Sequence, residues 1–499
     1  MTSQKSNKPI KTKRKMKKSM RFFSLATLVA MGAIFASCAK VGDDKPQENN
    51  SFTLTTSLSF DEEAATRALA VDFTNKTATK TFAEGDQIAV FYKDDNNSTR
   101  MVLSDALNID DIHNDGQTAD FTIDVSSASP GNGAQLRYVY PANMAKASIG
   151  EGAEINNANT IDYTKLEHQT GDLDYLGSTV DLATFDGNFS GYSLPASATL
   201  TNRLAILALT LKNSDGTSII TSGLADVIIS GSGTNVYNVS PKAASTFGQD
   251  VIFVAIEPEE INLRITANDG TYHIKTLTSR TYAAGNFYNL PVRMTVPAVG
   301  QVICTDGNFY TKAEAEAASK TPVAIVAYVG SETCEGAYGF THGLALAMSD
   351  APNGYNYPWG PMSTVSNKVR YAYNNFEPES GLQYNDASFI NDSNDHRDHT
   401  SSAYPAFVAA MSNNSTAAPT GCSAWFLPSA YQWQQMITAA GGHVQLREMA
   451  GLDYTAAQGY YWTSTETGTS VSLRYYFGDG NFSHVDKSSS RRVRSCLAF

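Results

Sequence analysis

Residues 52–60 alternate strictly: Phe52, Leu54, Thr56, Leu58 and Phe60 fall on one face of an extended segment, and Thr53, Thr55, Ser57 and Ser59 on the other. A period of two with one apolar face predicts a strand that buries that face. Asp61, Glu62, Glu63, Ala64, Ala65 and Thr66 follow, together a weak strand-forming segment that would leave Arg67 exposed. From residue 68 to 297 the pattern stays extended. Short apolar runs at 86–91, 121–125, 136–140, 204–212, 227–230, 251–256, 261–267 and 272–278 are separated by Gly, Asn or Asp, and helical periodicity is nearly absent. Many short strands with turn residues between them predict β-sandwiches. The Gly/Ser-rich interval 186–198 is a seam between two units, at 68–190 and 199–297, or a long loop within one.

The pattern changes after residue 297. An Ala/Glu-rich helix is expected at 311–320, a buried strand at 323–329, helices at 404–411 and 429–440, the latter with Trp433, Met436 and Ile437 at helical spacing, and closing strands at 460–465, 470–477 and 492–499. Residues 300–499 therefore predict an α+β domain, and the chain as a whole a mainly β protein.

The first 37 residues carry nine Lys or Arg and no acid, then an apolar run at 22–35, then Ala36, Ser37 and Cys38. This is the layout of a secretory signal over residues 1–37, too short in its apolar part for a spanning helix of about 20 residues. Met16 and Met20 are alternative starts. The segment Ile34-Phe35-Ala36-Ser37-Cys38 resembles a bacterial lipobox, which implies a lipid on Cys38, an exported precursor anchored in the outer membrane, and a propeptide at 38–67. Lys40, Asp43 and Asp44 resemble the acidic surface-export signal of Bacteroidetes lipoproteins. Loss of the nine cations takes the formal charge from −12 to −21. So acidic a chain makes nucleic acid and anionic membrane surfaces poor partners, and cations or neutral sugars better ones. The remaining cysteines, Cys304, Cys334, Cys422 and Cys496, suit two disulfides in an exported protein, or buried thiols.

Three motifs in order, Thr66-Arg67-Ala68, then the run from Phe82 through Gly85-Asp86 to Phe91, then the run from Gly285 through Tyr288 to Met294, resemble the Mfa-like fimbrillin family, the type V pilus subunits of Bacteroidetes. The resemblance implies two stacked β-sandwiches and a lipidated precursor. It also implies cleavage by a trypsin-like protease between Arg67 and Ala68, with exchange of the strand carrying Phe52, Leu54, Leu58 and Phe60 for a strand donated by another pilus subunit.

In the C-terminal block, Ala424-Trp425-Phe426-Leu427-Pro428, then Tyr460-Tyr461-Trp462-Thr463, then the run from Arg492 to Phe499 resemble Fibrobacter major-paralogue domains, whose fold is similar to C-type lectins. Phe426 and Gln432 replace that family's arginine and acid, and neither carbohydrate-binding tripeptide of C-type lectins is present. Trp425, Trp433 and Trp462 are expected in the core; Tyr355, Tyr357 and Trp359 belong to an aromatic-rich stretch expected to pack as a long loop, with stacking on a sugar as the alternative. Asp392, Asn394 and Asp395 offer oxygen ligands to Ca²⁺ but lack the glycine and distal glutamate of a calcium loop, so a solvated loop is the expectation there. No G-x-S-x-G, H-E-x-x-H or C-x-x-C occurs, and neither an enzyme nor a cofactor is expected. The reading is a pilus subunit, as a tip adhesin whose head contacts a surface glycan or protein. The alternatives are a monomeric glycan-binding surface lipoprotein and a pilus anchor subunit.

Overall fold

The computed structural model describes residues 53–60, 64–65, 70–72, 77–125, 128–191, 193–231, 235–258, 262–278, 280–331, 339–352, 354, 357–362, 402–466 and 468–499. The protein is mainly β. Eight strands form the first sheet: β1 (Thr53–Phe60), β2 (Ala89–Lys93), β3 (Thr99–Leu103), β4 (Ile112–His113), β5 (Thr118–Asp124), β6 (Gln135–Tyr140), β7 (Ala183–Asn188) and β8 (Ser197–Asn202). Their order is β3-β2-β6-β7-β8-β1-β5-β4, and a bridge from Ser104 to Ile123 brings the β3 end of the sheet to β5. The sheet thus curls around its own core, which holds Leu58, Val90, Phe121, Tyr138 and Leu200. The alternation of β5 follows from this, with Ala119, Phe121 and Ile123 inward and Thr118, Asp120 and Thr122 only partly covered.

The run at 86–91 lacks alternation because β2 is apolar on both sides. Val90 and Tyr92 face the first core, while Ala89 and Phe91 join a second one. β6 does the same, with Tyr138 in the first core and Val139 in the second. One wall thereby serves two cores. The second core is closed by a five-stranded sheet (His168–Gln169, Val236–Val239, Asp226–Ser230, Leu263–Asn268, Tyr272–Leu277) over a three-stranded one (Ile252–Ile256, Ala205–Lys212, Phe287–Arg293). Of the two readings of 186–198, the structure has the long loop: Ala183 pairs with Asn202 and Thr184 with Thr201. Residues 186–188 end β7, residues 197–198 open β8, the connection between these neighbouring strands lies between them, and the passage to the second core begins at Leu204. Glycine and serine mark an irregular connection whether or not a boundary lies in it.

The C-terminal block is α+β. An antiparallel sheet runs Phe309–Tyr310, Val302–Cys304, Pro322–Val329, Gly343–Ala347, Cys496–Ala498, beside a three-stranded sheet of Tyr460–Glu466, Val471–Tyr476 and Asn481–Asp486. The helices Lys312–Ala317, Pro405–Ser412 and Ala430–Ala439 lie within the expected segments, and His443–Ala450 was not expected. Ala430–Ala439 starts at a capping box of Ser429 and Gln432 and buries Trp433, Met436 and Ile437. The closing run is tied down by charge: the buried Arg494 donates to Asp350 Oδ1 and to the carbonyls of Ala347, Ala450 and Gly451, and Arg492 bridges Asp350 and Asp453. Among the described residues no helix is long and apolar enough to cross a membrane.

The block is docked on the strand Tyr272–Leu277. The Asn308 amide accepts from Thr276 N and donates to Thr276 O, at 2.9 and 3.0 Å. The rings of Tyr272 and His342 stack with centroids 3.4 Å apart. Burial first, and then the Arg264 guanidinium, hold His342 down at about 4 from its ordinary 6.5. The neutral ring is the form that fits. Unfolding lets the ring take up a proton between those two values, so its contribution is fully present above pH 6.5 and is lost as pH falls toward 4.

Two outcomes are expected. Leu58 is fully buried, so Leu58→Ala lowers the stability of the chain from Cys38 onward by about 3 kcal/mol in urea unfolding, whereas Thr55→Ala, on the exposed face, changes it by less than about 0.5 kcal/mol. His342→Phe keeps the ring stack without the titration, so its melting temperature falls less than the parent's between pH 6.5 and about 4.

Candidate functional site

β1 is an interior stave of the first sheet, and its two sides are bonded differently. Along β5 it is antiparallel, from Thr53 opposite Asp124 to Ser59 opposite Thr118. Along β8 it is parallel, from Ser57 opposite Ser197 to Phe60 opposite Leu200. The parallel ladder is prolonged by Ser57 N donating to Ala196 O at 3.2 Å and by the Thr56 hydroxyl donating to Pro195 O at 2.8 Å. The side chains follow the alternation of the sequence. Thr56 and Leu58 are buried, Leu54 is partly buried against the same core, Thr55 is exposed, and Ser59 meets the Thr199 hydroxyl at 3.3 Å on the outside. Burial raises the Tyr138 phenol, and the Thr56 hydroxyl beside it opposes that shift. Phe52 lies outside the described residues, as do the side chain of Phe60, Cys38, Arg67 and Ala68.

The chain leaving β1 makes one further small sheet. Ala64–Ala65 pairs in parallel with Thr77–Thr79, and Ala70–Asp72 pairs antiparallel with the other edge of Thr77–Thr79. Arg67 falls in sequence between the two flanking strands, where the chain passes from one edge to the other. β1 is therefore covalently joined to the rest of the protein's sheets through this passage alone on its C-terminal side, while its apolar face fills the core.

Without β1, β8 and β5 would face each other across a gap, each with a row of unpaired backbone groups, over an apolar trough where Leu58 now sits. Each net hydrogen bond there is worth about 1 kcal/mol and a buried leucine about 2–3 kcal/mol. The arrangement can accept another strand of the same alternation by β-augmentation.

Of the head candidates, Tyr357 and Trp359 pack inside, with Trp359 Nε1 donating to Thr463 O and Trp462 Nε1 to Tyr357 O, and Trp359 packs on Phe407. Both side chains are buried, so neither offers a face to a sugar ring. The aromatic richness of that stretch serves packing. Tyr355, Asp392, Asn394 and Asp395 lie outside the described residues. Trp425, Trp433 and Trp462 are core residues. No disulfide joins Cys304, Cys422 and Cys496 to one another; burial raises the thiols of Cys304, to about 11, and Cys422, and Cys334 lies outside the described residues.

Two features escaped the sequence reading. A cleft of about 630 Å³ between the second sandwich and the head is lined by Asp215, Lys275, Arg293, Tyr310 and Glu314. At the end of β8, Lys80, Asp181 and Asn202 meet in the interior. Such charged and polar residues far apart along the chain carry no local periodic signal.

The sequence matches no family model and no curated protein. Among solved structures it is similar to a fimbrial protein from Bacteroides ovatus ATCC 8483, 15% identical over 90% of this chain and 100% of that one, with a TM-score of 0.36. It is also similar to a fimbrial assembly protein from Parabacteroides distasonis ATCC 8503, 12% identical over 48% of this chain and 91% of that one, with a TM-score of 0.28. A third is the C-terminally truncated tip fimbrial protein from Porphyromonas gingivalis, 11% identical over 50% of this chain and 96% of that one, with a TM-score of 0.23.

Proposed function

We propose that the protein is a subunit of a surface filament, assembled when proteolysis after Arg67 frees β1 and a strand from a neighbouring subunit takes its place. The observation that carries this reading is the position of β1, an interior stave with an apolar face, continued by a connection that contains Arg67. While the chain is intact, the short connection keeps β1 at an effective concentration on the order of millimolar, and any outside strand competes poorly. Cleavage makes the competition bimolecular. The lipobox at Cys38 supports a precursor held at the outer membrane until that cut is made.

The block at 300–499, which the sequence likens to lectin-like domains, is proposed as a terminal head that contacts a glycan or protein surface. Its strand Cys496–Ala498 is committed to its own sheet, which supports a tip position, where a subunit accepts a strand without passing one on.

The N-terminal residue of the protein recovered from sheared surface filaments tests the reading. The expected residue is Ala68, with Arg67→Ala left lipidated at Cys38 and absent from filaments. Recovery of Cys38 at the N-terminus in both proteins would reject the tip assignment and favour an uncut anchor or a free-standing surface lipoprotein.

A further inference from the structure

Lys80, 122 residues from Asn202 in sequence, reaches across the first sheet into its interior. Its Nζ lies 2.6 Å from Asn202 Oδ1, 2.7 Å from Asp181 Oδ1 and 3.3 Å from the Asp181 carbonyl oxygen. The side chains of Lys80 and Asp181 are 3% and 7% exposed, and Asn202 is 6% exposed. The backbone fixes this meeting. Asn202 ends β8 opposite Ala183, two residues beyond Asp181, and Arg203 N donates to Leu182 O, so the two side chains come from the end of β8 and from the residues just before β7. Asp181 Oδ2 has no hydrogen-bond partner among the described residues.

An ammonium and a carboxylate buried this completely lose hydration that their attraction barely offsets, so passing the proton from Nζ to the carboxyl is the natural relief. Burial pushes the Asp181 carboxyl up, with the Lys80 charge opposing it. The amine then carries a lone pair beside the carbonyl of a primary amide, and water is excluded. A carboxylic acid sits at the same nitrogen with its second oxygen unengaged. This is the arrangement needed for amide exchange.

We propose that Lys80 and Asn202 become joined by an isopeptide bond, with Asp181 as the proton-transfer group. Lys80 Nζ attacks Asn202 Cγ, and the Nζ–Cγ bond forms as the Cγ–Nδ2 bond breaks. Asp181 carries the proton lost by Nζ to Nδ2, which leaves as ammonia, and the carboxyl returns to its starting state. No oxidant, reductant or second substrate is required. The bond would pin the segment that opens the chain after Arg67 to the end of β8, the strand on which β1 lies in parallel. This consequence rests on the strand-exchange reading; the bond itself does not. A link between residues so far apart also restricts the unfolded chain much as a disulfide does.

The experiment is the intact mass of the purified protein, followed by tryptic mapping. The expected mass is below that of the sequence by one ammonia. The map should hold one branched peptide joining residues 77–93, uncut at Lys80, to residues 166–203. Asp181→Asn and Lys80→Met, checked for folding by circular dichroism, should each recover the variant's full mass and yield 166–203 unbranched, with 77–80 and 81–93 from Asp181→Asn and 77–93 from Lys80→Met. A wild-type protein of full mass overturns the proposal, as does an ammonia loss that maps to another site, and the wild-type measurement stands even where a variant fails to fold. A branched peptide in folded Asp181→Asn would overturn the role of Asp181. Because the readout is a mass, failure of filament assembly leaves the result unaffected.

Discussion

The seating of β1 is the constraint on which the first sheet depends. A strand paired antiparallel on one side and parallel on the other is not one arm of a hairpin with either partner, both of which lie far from it in sequence. Its only covalent tie on the C-terminal side is the passage through residues 61–69. The geometry thus separates two roles that are normally fused: the strand completes a core, yet it is attached like a tail. That separation is what makes replacement by an outside strand physically reasonable, since the incoming strand has only to reproduce an alternation of five positions.

In the proposed exchange the rest of the structure would stay in place. β2 and β6 are apolar on both faces and serve as a common wall for two cores, and β1 contributes to the first core alone. The head is held to that second unit by the Asn308 clasp, by the Tyr272–His342 stack and by Ile274, which packs with Ile303, Phe309 and Phe499. Lys80 meets Asn202 where β8 ends, so the proposed covalent tie there would steady β8 during the proposed replacement of its neighbour.

What the sequence revealed followed its local periodicities. The two-residue period at 52–60 was legible because one face is buried and the other is not. The unbroken run at 86–91 was legible because both faces are buried, and the helix Ala430–Ala439 because Ser429, Gln432 and a Trp433-Met436-Ile437 stripe agree. The interval 186–198 could be read as a seam or as a long loop because glycine and serine mark irregular backbone whether or not a core ends there. His443–Ala450 was missed because only Leu446 and Ala450 are buried and two glycines precede it. For Tyr357 and Trp359 the sequence left packing and sugar stacking both open, because nothing local shows that Trp359 Nε1 reaches Thr463 O and Trp462 Nε1 reaches Tyr357 O. Lys80, Asp181 and Asn202 were invisible for the same reason: their chemistry exists only after three distant segments are brought together.

The most direct test of the account locks β1 in place. Ser59 and Thr199 are paired across β1 and β8 with their hydroxyls 3.3 Å apart, so Ser59→Cys with Thr199→Cys places two thiols within reach of a disulfide. The account predicts that the oxidised double variant is cut at Arg67 and yet stays out of filaments, and that reduction restores its incorporation. Incorporation of the oxidised, cut protein at the parental level would contradict it, because β1 would then have no need to leave.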